Sequence, residues 1–230
     1  MSIKLTWLGH SAFQVEIDGH PVLFDPFLSG NPVAAASPTQ VSAEIIFLSH
    51  AHGDHYGDTV AIAKRTGAKV VANNEMANYI AKQGVAATHG QNPGGSFDHG
   101  FVIAKWTVAF HSSSFPDGTY GGEPNGFILT AKESGKKLYF AGDTALFSDM
   151  SLIGDHGIDI ACLPIGDNFT MGVEDSVKAV QFIRPRYVVP MHYNTFPLLA
   201  QDGNAWAERV KDETGAMPVV LPFGGSFELE

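Results

Sequence analysis

The ten residues from Ser49 to Asp58 read SHAHGDHYGD and follow directly on the apolar run IIFL. Within six positions they bring together three imidazoles and a carboxylate, those of His50, His52, Asp54 and His55. Such groups are costly to bury unless they are paired or bind a metal. The stretch therefore predicts a metal site at the end of a buried strand.

Other apolar runs predict strands that end in similar side chains. His111 follows FVIAKWTVAF, Asp143 follows KKLYFAG, and His192 follows RYVVPM. Functional groups tend to lie on loops that a rigid scaffold holds, and such loops begin at strand ends. We therefore expect these three side chains to converge with His50.

The order of the predicted elements favours an α/β (α+β) chain with two sheets and helices outside them, because clusters of strands alternate with helical segments. The pattern predicts helices over residues 54–65, 146–153, 173–183 and 198–213, a loop over 88–100, and a last strand in PVVLPF.

Composition limits the classes of protein that fit. The 230 residues suit one domain, 1–230, and 44% hydrophobic and 17% charged residues are typical of a globular protein. The formal net charge is −10. Lysine and arginine are few and scattered, so we expect a small-molecule substrate and no nucleic acid. No signal peptide and no apolar run of about 18 residues is visible, so we expect a cytoplasmic protein that does not cross a membrane. Cys162, the one cysteine, lies in the apolar run IDIACLPIG.

The spacing of the polar residues suggests how they would share two ions. His50 and His52 lie two apart and can bind one ion together with His111. Asp54 and His55 can turn toward a second ion, which His192 would complete, and Asp143 can bridge the two. Imidazole nitrogen and carboxylate oxygen suit Zn²⁺, with Mn, Ni or Fe as alternatives.

The motif HAHGDH matches the H-x-H-x-D-H signature of the metallo-β-lactamase superfamily, and FHSSS, AGDT and MHYNTFP follow it in the expected order. The stretches WLGHSAFQVEIDGHPVLFDPF, GDTALFSDM and LPIGDNFTMG are most similar to the cytosolic metal-dependent hydrolase branch, which is related to L-ascorbate-6-phosphate lactonases. The resemblance implies a four-layer αββα sandwich in which two mixed sheets are flanked by helices, with a two-metal site at one edge.

The resemblance also implies a mechanism. Two divalent ions, most simply zinc, would lower the pKa of a shared water toward about 7, and the resulting hydroxide would cleave an ester, lactone or phosphodiester bond. Asp54 would both bind the second ion and orient the nucleophile. The antibiotic-hydrolysing members carry a cysteine where this chain has Asp143, and the flavodiiron members carry a glutamate where it has His52. Neither of those two activities is therefore expected.

Further residues are candidates for the same site. His10, in LGHSAF, could donate a proton or contact the substrate, or be a structural histidine. Asp25 could accept the second N–H of a ligand histidine, or form a turn before Pro26. Thr144 could bond near the bridging carboxylate, or cap the next helix. Past other strand ends lie candidate substrate contacts, namely Asn168, Asn194 and Thr195.

Three other functions remain open at this stage. A nuclease or phosphodiesterase acting on nucleic acid would need contacts to backbone phosphates. A mononuclear iron oxygenase would use fewer ligands. A non-catalytic metal-binding protein would turn over nothing. The sequence also leaves open whether the chain forms a homo-oligomer.

Overall fold

The computed structural model describes residues 2–229, and within them two seven-stranded sheets face each other. The first sheet has the spatial order β14-β1-β2-β3-β4-β5-β6. Its strands are β1 (Ile3–Gly9), β2 (Ala12–Ile17), β3 (His20–Phe24), β4 (Ile45–Phe47), β5 (Lys69–Ala72), β6 (Thr88–Gly90) and β14 (Ser226–Leu229).

The second sheet has the order β13-β12-β11-β10-β9-β8-β7. Its strands are β7 (Ser96–Asp98), β8 (Val102–Val108), β9 (Asn125–Ala131), β10 (Lys137–Phe140), β11 (Ile160–Pro164), β12 (Tyr187–Met191) and β13 (Met217–Pro218). Both sheets are mixed, since each has an antiparallel half and a parallel half.

Helices cover the outer faces of both sheets. In the described residues they are α1 (Gly53–Tyr56), α2 (Thr59–Thr66), α3 (Asn74–Lys82), α4 (Met150–Gly154), α5 (Val173–Ile183) and α6 (Gly203–Glu213), with a short 3-10 turn at Pro197–Leu199. The helices α2 and α3 pack on the first sheet, whereas α4, α5 and α6 pack on the second. The predicted arrangement of two mixed sheets flanked by helices is confirmed.

Strand direction explains why the polar strand ends meet. In the first sheet β1 and β3 are each antiparallel to β2, and β3 is parallel to β4, so all three end at the same edge. In the second sheet β8 and β10 are each antiparallel to β9, and β10 runs parallel to β11 and β12. The N–H of His192, after β12, donates to the carbonyl oxygen of His10, after β1, so the segments that follow β1, β3, β4, β8, β10 and β12 begin on one side of the sandwich.

The core between the sheets is aromatic. Phe24, Phe47, Phe127 and Phe140 are fully buried, and the ring centroids of Phe127 and Phe140 lie 5.0 Å apart. Burial of an apolar side chain of this size stabilises a fold by about 1.5–3 kcal/mol. The rigid scaffold behind the polar edge therefore comes from apolar side chains of both sheets.

The helix predicted over residues 54–65 is two helices, α1 and α2. Gly57 interrupts it with a φ of 38°, and a Cβ at that position would lie 2.5 Å from the carbonyl oxygen of Pro26. Asp58 then accepts hydrogen bonds from the backbone N–H groups of Leu28 and Ser29. Contact with the loop after β3, which local sequence does not reveal, ends α1.

Other predicted boundaries also change. The expected loop over 88–100 contains the edge strands β6 and β7, and the closing strand shrinks to Met217–Pro218 while β14 pairs with β1. The helix α4 begins at Met150, and α6 begins at Gly203 because Asp202 accepts hydrogen bonds from the N–H groups of Asn204 and Ala205. The strands β6, β7 and β14 form by pairing with other segments of the chain, which local sequence does not reveal.

In the described residues no helix is long and apolar enough to span a bilayer.

Candidate metal centre

The first cluster of ligands consists of His50, His52 and His111. One ligand atom from each lies within 4.8 Å of the others. Nε2 of His50 lies 3.0 Å from Nδ1 of His52, and the ring of His111 lies 5.0 Å from each of their centroids. The loops after β4 and β8 therefore bring three imidazoles to one point, as one metal ion requires.

The second cluster surrounds Asp143, at the end of β10. Its Oδ2 atom lies 2.9 Å from Nε2 of His192 and 3.3 Å from Nε2 of His55. The same oxygen lies 3.6 Å from Nε2 of His111, in the first cluster. Asp143 therefore stands between the two groups of ligands. Asp54, at the start of α1, completes the second group, with Oδ2 4.0 Å from Nε2 of His55.

Asp25, at the end of β3, supports ligands of both clusters from behind. Its Oδ2 lies 2.8 Å from Nδ1 of His55, and the hydroxyl of Ser49 donates to the same oxygen. Because Ser49 donates to Asp25, its Oγ can accept from Nδ1 of His50, 2.9 Å away. Both imidazoles then carry their proton on Nδ1 and keep an Nε2 lone pair for a ligand, a common arrangement around metal-binding histidines.

Several buried atoms at this point have no hydrogen-bond partner within the described residues: His55 Nε2, Asp143 Oδ1, His192 Nδ1 and His192 Nε2. A buried polar atom without a partner costs about 1–3 kcal/mol. His55 Nε2, His192 Nε2 and a carboxylate that face one another are a suitable donor set for a divalent cation. The residues therefore fit the metal that the sequence predicts.

The electrostatics of the two clusters differ. Burial lowers the pKa of His50 well below its ordinary value, and also lowers the pKa of His52 and His111, so these imidazoles are neutral. Burial alone would lower the pKa of His55 as well, but Asp143 and Asp54 raise it well above its ordinary value. The surroundings of His55 thus favour positive charge, either a proton or a metal cation.

Both carboxylates stay ionised. Burial alone would raise the pKa of Asp143, yet His192 and His55 lower it well below the ordinary value. The same balance holds the pKa of Asp54 below its ordinary value, through His55 and the hydrogen bond from His10. Ionised carboxylates are the form that binds a metal.

A cavity of about 350 Å³ opens over the two clusters. It is lined by His52, Asp54, His111, Ser112, Asp143, Phe169 and His192. Its volume lies at the lower end of the range for small-molecule sites, about 300–1,000 Å³. The clusters can therefore be reached by a small ligand.

Comparison with known proteins agrees with this geometry. The sequence model described as "Beta-lactamase superfamily domain" matches residues 4–192, which include all seven proposed ligands. A UPF0173 metal-dependent hydrolase of Thermus thermophilus is 51% identical over 211 residues, which are 92% of each chain. The chain belongs to the UPF0173 family of metal-dependent hydrolases. A relative from Shouchella clausii is 48% identical over 99% of this chain and 100% of its own.

A solved structure supports the same assignment. Igni18, described as a novel metallo hydrolase from the hyperthermophilic archaeon Ignicoccus hospitalis, shares 35% identity and superposes with a TM-score of 0.91. The alignment covers 100% of this chain and 99% of Igni18. The chain is thus a metal-dependent hydrolase with the metallo-β-lactamase fold.

His10 occupies a buried position beside the second cluster. Its Nε2 lies 3.1 Å from Oδ2 of Asp54, and its Nδ1 lies 2.8 Å from the hydroxyl of Thr195. Ligand atoms of His10, Asp54, His55 and His192 fall within 4.8 Å of one another. His10 is fully buried and is not among the residues that line the cavity, so it lies behind Asp54 as seen from the cavity.

The other candidate residues have local contacts. Thr144 does not cap α4, which begins six residues later; its hydroxyl accepts from the N–H of Phe110 and so fixes the segment before His111. The side-chain amide of Asn194 bonds to the backbone of Gln201, and Thr195 is buried against His10. Asn168 is exposed beside the cavity lining, one residue before Phe169.

Two residues that line the cavity, Ser112 and Phe169, have no proposed role as ligand or substrate contact in the sequence analysis, where they occur only within FHSSS and LPIGDNFTMG. Ser112 follows the ligand His111, and its Oγ lies 3.4 Å from Nε2 of His52. Phe169 lies in GDNFTMG beside Asp167 and Asn168, whose left-handed backbone only the structure shows. The sequence signal that could have identified these residues is their position: Ser112 follows a predicted ligand, and Phe169 lies in a polar loop.

Proposed function

We propose that the chain is a binuclear hydrolase that cleaves an ester, lactone or phosphodiester bond of a small substrate. His50, His52 and His111 would hold one divalent ion. Asp54, His55 and His192 would hold the other, and Asp143 would bridge them. Zinc is the simplest choice for these nitrogen and oxygen ligands, and Mn, Ni or Fe would also fit.

One observation supports this proposal above the others. The carboxylate of Asp143 contacts His55 and His192 at 2.9–3.3 Å and His111 at 3.6 Å, and two of those imidazoles present unpartnered buried nitrogens. A carboxylate between two groups of histidines is a suitable bridging ligand for a pair of ions. When bound, such ions supply a water of lowered pKa and positive charge that stabilises a developing anion.

Asp54 would orient the attacking water. It lines the cavity with its side chain 35% exposed, and its lowered pKa keeps it an acceptor. His10 would be a positioning residue for Asp54. Because an ionised carboxylate only accepts, Nε2 of His10 carries the proton, and the hydroxyl of Thr195 donates to Nδ1. Burial, followed by the nearby His192, lowers the pKa of His10 to about 4, which keeps this imidazole neutral.

Thr195→Val tests this role, because valine preserves the shape and removes the hydroxyl. Loss of one hydrogen bond, worth about 0.5–1.5 kcal/mol, should lower kcat by about 3–10-fold. We expect KM and metal content to stay near wild type and Thr195→Ser to restore kcat. Steady-state kinetics and elemental analysis measure both. An unchanged kcat in the valine variant would refute the positioning role.

The proposed function itself is tested by turnover. Metal-free and zinc-reconstituted protein should be assayed with chromogenic esters, lactones and bis-p-nitrophenyl phosphate, and parallel assays should measure cleavage of labelled RNA and oxygen uptake. We expect hydrolysis of at least one small substrate by the reconstituted protein alone. His52→Ala should lose both metal and activity, whereas the exposed control His156→Ala should keep both. Oxygen uptake or RNA cleavage without small-molecule hydrolysis would contradict the proposal.

The proposal includes a small-molecule partner and a cytoplasmic location. The cavity volume supports the first. The second is supported by Cys162, which is buried and free, since unpaired cysteines are usual in a reducing compartment.

A further inference from the structure

The wall of the cavity has two parts with different chemistry. Five of its residues are proposed metal ligands, and the others are Ser112 and Phe169. The phenyl ring of Phe169 is 55% exposed. An exposed aromatic ring beside an active centre can contact the part of a substrate that does not react, and burial of that ring then contributes to binding.

The loop that carries Phe169 has an unusual backbone. Asp167 and Asn168 both have positive φ angles, 63° and 50°. Such conformations are uncommon for residues other than glycine, and they cluster at ligand-binding sites where the surrounding structure enforces them. Asp167 accepts hydrogen bonds from the N–H groups of Phe169 and Thr170 through its carbonyl oxygen. These hydrogen bonds form a tight turn, and the side chain of Phe169 extends from that turn toward solvent.

Both ends of this loop are attached to segments that carry metal ligands. The N–H of Met171 donates to the carbonyl oxygen of Thr144, next to Asp143, at 3.0 Å. At the other end Gly166 packs so closely on the main chain of His192 that a Cβ would lie 2.1 Å from its carbonyl oxygen. The backbone at both ends of the loop that carries Phe169 is thus attached directly to segments that carry proposed ligands.

A second exposed aromatic ring lies beside His10, next to the second cluster. Phe196 is 38% exposed, and its ring centroid lies 5.8 Å from that of His10. Exposed aromatic side chains therefore occur on two loops of this edge, the one after β11 and the one after β12.

We propose that Phe169 is a specificity-determining residue that binds an alkyl or aryl group next to the scissile bond. The preferred substrate is then an ester or lactone with an apolar substituent, and not a phosphorylated sugar lactone. This inference rests on the proposed function. Among residues 2–229, the wall residues other than proposed ligands are Ser112 and Phe169, so its non-ligand surface includes a phenyl ring that suits an apolar group and carries no cationic side chain for a phosphate.

Two lactones with the same ring test this proposal. γ-Nonalactone differs from γ-butyrolactone by a pentyl substituent, so the ratio of their kcat/KM values reports the apolar contact. We expect wild type to prefer γ-nonalactone by about 10-fold or more, and Phe169→Ala to reduce that preference by about 10-fold. Phe169→Leu should keep most of it. Phe97→Ala, which removes a 44% exposed aromatic side chain on β7, is the matched control and should not change the ratio.

Binding gives a readout that does not require turnover. Calorimetric titration of the zinc-loaded proteins with 4-hydroxynonanoate and 4-hydroxybutanoate, the two hydrolysis products, should show the same dependence on Phe169. If neither lactone is hydrolysed but the difference in affinity between the two products depends on Phe169, the apolar subsite is supported and lactone hydrolysis is contradicted. If both lactones are hydrolysed with a ratio that Phe169→Ala leaves unchanged, the subsite is refuted and the hydrolase stands. Faster hydrolysis of 6-phosphogluconolactone than of gluconolactone would also refute it.

Discussion

Asp143→Ala is expected to release metal from both clusters and to lower kcat/KM by about 10³-fold or more. The carboxylate of Asp143 lies between the two groups of ligands, at 2.9 Å from His192, 3.3 Å from His55 and 3.6 Å from His111. Without it, the imidazoles lose the negative charge that compensates two cations. Loss of the metal contribution, worth several kcal/mol, corresponds to a rate loss of this size.

Elemental analysis after dialysis and steady-state kinetics measure this effect, while circular dichroism checks the fold. Asp149→Ala is the matched control, because this exposed aspartate lies six residues further along the chain and outside the cavity. Asp143→Asn should be intermediate in metal content, since the amide keeps an oxygen but loses the charge. Full metal content and normal kcat/KM in the alanine variant would show that Asp143 is not a metal ligand.

Asp25→Ala is expected to lower both stability and metal affinity. The carboxylate is fully buried and accepts from the N–H and hydroxyl of Ser49 and from Nδ1 of His55. Its removal leaves these donors unsatisfied, and loss of one partner of a buried pair costs about 3–5 kcal/mol. Loss of such outer partners typically weakens metal binding by about 10–100-fold.

Urea denaturation of the metal-free protein and zinc titration separate the two effects. The matched control is Asp58→Ala, which also removes a carboxylate that accepts two hydrogen bonds, but from the N–H groups of Leu28 and Ser29, which are not proposed ligands. We expect that control to lose some stability and no metal affinity. If Asp25→Ala bound zinc as tightly as the Asp58 variant, Asp25 would not orient the ligands.

The sequence predicts which side chains come together at this edge because they occur at strand ends in a recognisable spacing. His50, His52, Asp54 and His55 lie together in one motif. The residues His111, Asp143 and His192 each follow an apolar run that does become a strand. Metal ligation restricts both residue type and position, so such a pattern rarely arises for other reasons.

The parts of the fold that the sequence does not predict depend on tertiary contacts. β6 and β7 are three-residue edge strands that form by pairing with β5 and β8, and β14 forms by pairing with β1 from the opposite end of the chain. α1 ends at Gly57 because of contact with Pro26. The intrinsic secondary-structure preference of a short segment gives no information about which distant segment it will contact.

Dependence on tertiary contacts also explains why the substrate contacts could not be predicted from the sequence. Asn194 and Thr195 follow a strand end as the ligands do, yet one bonds to the backbone of Gln201 and the other to His10. From the sequence, Phe169 would be expected to be an ordinary buried apolar residue. In the structure it follows Asp167 and Asn168, which have positive φ angles, and its side chain is exposed. Side-chain direction at a loop tip is decided by backbone angles, which residue type only weakly determines.

The number of zinc ions that the native chain binds tests the central claim most directly. The protein should be saturated with zinc, freed of excess metal by gel filtration, and analysed by plasma mass spectrometry against an amino-acid analysis of the same sample. The two histidine clusters bridged by Asp143 predict two ions per chain. A single ion at saturation, or none, would contradict the binuclear centre.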